Sequence, residues 1–236
     1  MKLSDIEKLN AAIAARRPMA LATWIASGRQ ELLPHPDQAT ASAATAMPDE
    51  LADVLRDRFR TDRSGTNEIA GEEVFVRVYN PALQMIIIGA VHIAQALIPM
   101  AKALGYAPVV IDPRTAFNSE ERFADVPRDT RWPDEALADL TVDARTAFIA
   151  LTHDPKIDDP ALKIALAAAP FYIGALGSRR THASRVERLA AQGISEQSLA
   201  RIRAPIGLDI GAVGAPEIAV SIIAEVTAAL RGRTAK

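Results

Sequence analysis

Apolar residues are spaced in two different ways along this chain. Up to about residue 80 they recur at the intervals of amphipathic elements, and from Gln84 onward they come in short unbroken runs. The first pattern predicts a helix over Ser4–Arg16, an apolar strand over Ala20–Ile25 and a polar helix over Asp49–Arg60. It also predicts an alternating strand in "EEVFVRVYN", with Val74, Val76 and Val78 on one face. The piece between the first strand and the second helix is rich in Pro, Ala, Ser and Thr and reads as a linker. In the second pattern, "MIIIGA", "APVVID", "TAFIALT" and "FYIGALG" are strands, and His92–Leu104, Asp158–Ala168 and Arg179–Gln192 are helices. Continuous apolar strands separated by helices imply a parallel sheet covered on both faces. "SEQSLARIR" follows with Ser195 as N-cap, and an apolar helix runs from Pro216 to Leu230 and stops at Gly232. The expected fold is therefore α/β: a Rossmann-like doubly wound sheet over residues 81–236, with a smaller α+β domain over residues 1–80.

Composition narrows the function classes. The 236 residues are 49% hydrophobic, enough for a real core. A net charge of −2 offers no broad positive field for nucleic acid or an anionic membrane. No apolar run reaches the ~20 residues of a membrane helix, and the charged N-terminal stretch does not resemble a signal sequence, so a cytoplasmic protein is expected. There are no cysteines, which rules out thiolate metal sites, iron–sulfur clusters and a cysteine nucleophile in these residues.

The stretch "IIIGAVHIAQAL" is laid out like a dinucleotide-binding turn. Its three key positions are Gly89, Val91 and Ala94: the first makes the bend, the third is small enough for helix–strand packing, and the second has a valine where glycine would let backbone approach a phosphate. Ala90 and His92 complete the turn, and the first N–H groups of the following helix still attract an anion. Asp112, in "VIDPR", lies about 20 residues beyond Gly89, where an acidic residue accepts diol hydroxyls; Arg114 beside it suits a phosphate. Two readings stay open, a nucleotide-like ligand or a scaffold that binds none.

Three further groups of polar residues follow strands or glycines. Thr152, His153 and Asp154 fall at the C-terminal end of a parallel strand, where open α/β sheets bind ligands; the His-Asp pair suits a general base or an ordinary helix cap. Gly174, Gly177, Ser178, Arg179 and Arg180 offer backbone N–H groups, a hydroxyl and two guanidinium groups to an anion, or a capped helix with a basic end. Gly207, Gly211 and Gly214 make "PIGLDIGAVGAP" a tight loop carrying Asp209, and Glu217 sits where a helix dipole favours it. His35, His92, His153 and His182 lie in separate segments without metal-ligand spacing, and "GSRR" lacks the second glycine of a hydrolase elbow. No catalytic residue and no metal site is expected.

Together, "IIIGAVHIAQAL", "VIDPR", "LTHDPKID", "YIGALGSRRTHASRVERL" and "PIGLDIGAVGAPEIAVSIIAE" resemble the C-terminal domain of the xanthine dehydrogenase accessory factor family, the XdhC-like proteins, over roughly Val74 to Leu230. The resemblance implies a two-domain, often dimeric chaperone rather than a catalyst. Such a protein binds molybdenum cofactor (molybdopterin) transiently and delivers it to a xanthine dehydrogenase-like molybdenum hydroxylase apoenzyme. It further implies that helix N-termini near His92 and Arg179 receive the cofactor phosphate, and that Asp112 and Asp209 bond the pterin edge. The chain departs from the family pattern twice: Val91 replaces the second glycine of the turn, and the stretch Gly28–Gly71 lacks the family's cysteine and glycine cluster. The alternatives are an NAD(P)-binding oxidoreductase and a Rossmann scaffold that binds only protein partners.

Overall fold

The computed structural model describes residues 2–38 and 47–233. Part of the linker-like stretch therefore lies outside the described residues. The chain divides into two compact units, Met1–Pro81 and Ala82–Lys236.

In the first unit, α1 (Leu3–Ala14) precedes β1 (Met19–Trp24), β2 (Gln30–Pro34), α2 (Asp49–Thr61), β3 (Gly65–Ile69) and β4 (Glu72–Tyr79). The strands form an antiparallel sheet in the order β2-β1-β4-β3. Period-two alternation places Ala20 and Ala22 of β1 and Val74 and Val76 of β4 on one face. There they meet Leu51, Leu55 and Phe59 of α2. Strands β2 and β3 carry no apolar alternation of their own; they are edge strands with one buried residue each, Leu33 and Ile69, held by pairing to β1 and β4.

The second unit contains β5 (Leu83–Ile88), α3 (His92–Ala103), β6 (Tyr106–Ile111), β7 (Arg128–Asp129), α4 (Pro133–Ala138) and β8 (Thr146–Ala150). It continues with α5 (Pro155–Ala168), β9 (Tyr172–Ala175), α6 (Arg179–Ala191), α7 (Glu196–Leu199), β10 (Ile202–Arg203) and α8 (Ala215–Leu230). Its six strands are all parallel, in the order β10-β9-β8-β5-β6-β7. Numbered one to six along the chain they read 6-5-4-1-2-3, the doubly wound order that reverses direction between the first and fourth strands. Those strands are β5 and β8.

Both faces of this sheet are buried, which explains the unbroken apolar runs. Met85 and Ile87 pack with α3 and α8 on one side, whereas Ile86 and Ile88 pack with α4 and α5 on the other. All four side chains are fully buried, each contributing about 1.5–3 kcal/mol of transfer free energy. Among the described residues no helix is long and apolar enough to cross a membrane.

Candidate functional site

At the β5–β8 reversal, Gly89 has φ +114°, and a β-carbon there would come 2.8 Å from the Thr152 γ-methyl. The glycine is thus required twice, by its backbone angle and by the close approach of the loop after β8. Val91 is the N-cap of α3 at φ −97° and ψ 171°, ordinary extended backbone that suits a β-branched residue. Its side chain packs against the core cluster formed with α3 and α8. Ala94 is completely buried, and His92 is exposed in the first turn of α3.

Asp112 is completely buried and fully engaged. Its Oδ2 accepts from the Ala90 N–H at 2.8 Å and from Arg114 Nη2 at 2.8 Å; its Oδ1 accepts from the Arg114 N–H and Nε, each at 3.0 Å. Burial alone would raise the Asp112 pKa, but the bonds from Arg114 and Ala90 outweigh it and hold the carboxyl below its ordinary value. The aspartate therefore ties the end of β6 to the turn after β5. Arg114 also lies over the Phe117 ring, 4.7 Å from its centroid.

His153 has φ +61°, a left-handed conformation uncommon outside glycine, immediately after β8. It is exposed, and Asp154 caps α5, accepting from the Lys156 N–H at 2.9 Å. Thr152 Oγ1 donates to Asp158 Oδ1 at 2.6 Å and accepts from the Asp154 N–H at 3.1 Å. Ser178 caps α6 through the Thr181 N–H, leaving Arg179 and Arg180 exposed in its first turn. Gly177, at φ +135°, lies close to both Thr181 and His153: a β-carbon there would be 3.0 Å from Thr181 Cγ2 and 3.6 Å from His153 Nδ1.

The structure thus gathers Gly89–His92, Arg114, Thr152–Asp154 and Gly177–Arg180 at the ends of adjacent parallel strands. Gly174 lies elsewhere, inside β9, where a β-carbon would strike Ile206 Cδ1 at 2.5 Å. Gly207, at φ +94°, presses on α8: a β-carbon would fall 2.3 Å from Ser221 Oγ. Its N–H donates to Glu225 at 2.8 Å. Asp209 is exposed on the loop that follows. Of the remaining histidines, His35 packs on Phe59 in the first unit and His182 lies on α6. Among the described residues no three His, Asp or Glu side chains converge as a metal site.

Sequence reasoning missed two residues that support these loops. Asp158 on α5 and Arg185 on α6 are 1% and 2% exposed, and Arg185 Nη2 donates to the Leu176 carbonyl at 2.9 Å. The two side chains come within 3.7 Å of each other. Burial raises the Asp158 pKa against the bond from Thr152 and the charge of Arg185, and burial lowers that of Arg185. The available signal was a charge on an apolar helix face: Arg185 stands four residues before the buried Leu189, and Asp158 four residues before the buried Leu162.

The XdhC Rossmann domain matches residues 85–226, more than half of the chain. The chain belongs to the XdhC family. It is 36% identical over 164 residues to the molybdenum cofactor insertion chaperone PaoD of Escherichia coli (strain K12), covering 70% of this chain and 44% of that one. It is 29% identical over 154 residues to a probable xanthine dehydrogenase subunit of Bacillus subtilis (strain 168), covering 65% of this chain and 44% of that one. The chain therefore spans less than half the length of these relatives. A crystal structure of a xanthine dehydrogenase from Bacillus halodurans superposes with a TM-score of 0.59 at 20% identity, over 98% of this chain and 81% of that one. That likeness extends the shared fold beyond the Rossmann domain.

Proposed function

We propose that this XdhC-family chain is an accessory protein that binds molybdenum cofactor transiently and assists its insertion into a xanthine dehydrogenase-type hydroxylase. The observation that carries this reading is the 36% identity to a molybdenum cofactor insertion chaperone, over a domain whose strand reversal brings three turn regions to one edge. The donor set fits a phosphate-bearing, oxygen-rich pterin: first-turn N–H groups of α3 and α6 and the exposed Arg179 and Arg180 bind anions. Asp112 cannot take a pterin edge without giving up bonds to Ala90 or Arg114, so that role falls to His92, His153 and Asp209. With no cysteine, these residues supply no thiol to the metal; they hold and orient the cofactor. The loop after Gly207 exposes Ile210 and Val213, at 53% and 88%, and a client enzyme docks there while the cofactor passes across. The working form in this reading is a homodimer, and light scattering is expected to give twice the mass of the chain.

The test is anaerobic purification from a host that makes molybdenum cofactor, beside a cofactor-deficient host, followed by mass spectrometry and oxidised-pterin fluorescence. A host-dependent pterin near one per chain is expected. Its absence, persisting after addition of isolated cofactor, overturns the proposal.

A further inference from the structure

A cavity of about 270 Å³ lies between α5 and α6, lined by His153, Asp158, Arg180, Thr181, Ser184 and Arg185 together with the Arg188–Asp159 pair. That pair is internally satisfied, with Arg188 Nε and Nη2 donating to Asp159 at 2.7 and 3.1 Å. The neighbouring Asp158 and Arg185 form an ion pair at 3.7 Å, too long for a hydrogen bond. Arg185 Nε, Arg185 Nη1 and Asp158 Oδ2 are all buried without a hydrogen-bond partner. A buried polar group left unpaired costs about 1–3 kcal/mol, more when charged, and here two donor nitrogens and one acceptor oxygen belong to Arg185 and Asp158, two residues of the cavity wall. Arg180 adds an exposed guanidinium, and the first turn of α6 adds free N–H groups.

A ligand that satisfies this set must accept from the arginines and donate to the carboxylate. Sulfate and carboxylate anions only accept. A phosphoryl group, with a second pKa of about 6, retains one proton in a substantial fraction of molecules near neutral pH and so does both. We infer that this cavity binds the singly protonated phosphoryl group of a phosphomonoester, with Arg185 as its buried anchor and Asp158 Oδ2 accepting the P–O–H bond. One proton is shared between carboxyl and phosphoryl oxygens, whichever formally carries it. Thr152 donates to the other oxygen of Asp158 and so ties it to the loop at the strand reversal. The site gives the phosphate end of the proposed cofactor a buried anchor beside the first turn of α6 and apart from α3; only the identity of the rest of the ligand rests on that reading.

The test uses the full chain and simple anions. Inorganic phosphate and sulfate are titrated at neutral pH and matched ionic strength by calorimetry, with 31P line broadening as a second readout. Phosphate is expected to bind about tenfold or more tightly than sulfate, since sulfate brings no hydrogen-bond donor to Asp158 Oδ2. Asp158→Asn keeps the acceptor that meets Thr152 and places an amide donor in the cavity, so it should abolish the preference by strengthening sulfate. Arg185→Gln should weaken both anions. Equal affinity for the two anions in the unmodified chain means an adventitious ion only and overturns the inference, as does the absence of binding, and neither result depends on a variant that folds. Phosphate selectivity without pterin retention would sink the cofactor reading and leave this site standing; pterin retention without phosphate selectivity would do the reverse.

Discussion

The Asp112 carboxylate accepts four hydrogen bonds, three of them from a single residue, so removing either partner has unequal consequences. Arg114→Ala strands a buried charge, and about 3 kcal/mol of stability should be lost in urea melts. Asp112→Asn removes the charge along with half of the pairing and should cost less. Because the folded carboxyl has a lowered pKa, its contribution is present above the ordinary carboxylate value and disappears as pH falls through the folded one. The stability gap between the unmodified chain and Asp112→Asn should therefore narrow below about pH 4, as melts across an acid series would show. Val91→Gly tests the turn. The valine backbone is relaxed and its side chain packs on the core, so the change should lower stability by about 1 kcal/mol and create no affinity for nicotinamide nucleotides in a thermal-shift assay. The sequence places Val91 where a glycine is usual, but its φ and its packing are set by the fold around it and cannot be read from spacing.

Elements with a strong period were legible from the sequence, and the least periodic ones were not. Strands β5, β6, β8 and β9 are apolar because helices cover both faces, and α8 begins and ends at its proline and glycine signals. Strands β2, β3, β7 and β10 are short and lie at or next to a sheet edge, where pairing to a neighbour rather than burial selects them; no local pattern marks them. In the candidate site, residues at the ends of apolar runs were legible because a parallel strand delivers its end to the ligand edge. Asp158 and Arg185 were not, since their importance comes from facing each other across two helices far apart in sequence. Gly174 and Gly207 stood out in the sequence as glycines near motifs, and the structure gives each a steric reason instead. Gly207→Ala should destabilise the chain by about 2 kcal/mol or more, as the β-carbon meets Ser221 and the backbone stays left-handed; a thermal melt reads it.

Across the whole molecule, each unit has a core of its own. Leu55→Ala empties a fully buried position beneath the antiparallel sheet and should cost that unit about 2–5 kcal/mol in denaturant melts. Phosphate affinity, which depends on α5 and α6, should stay unchanged in the same variant. Within the larger unit, Tyr172 donates to Glu225 at 2.5 Å, the same carboxylate accepts from the Gly207 N–H, and Arg203 lies 3.8 Å from its other oxygen. A single glutamate on α8 thereby bolts β9, β10 and the start of the following loop together, leaving the outer part of that loop, with Ile210 and Val213, facing solvent. On the timescale of amide deuteration, the loop has a slow root and a fast tip: the Gly207 and Leu208 protons, bonded to Glu225 and Ser221, should exchange like those in a strand, while those of Asp209, Gly211 and Ala212 exchange almost freely.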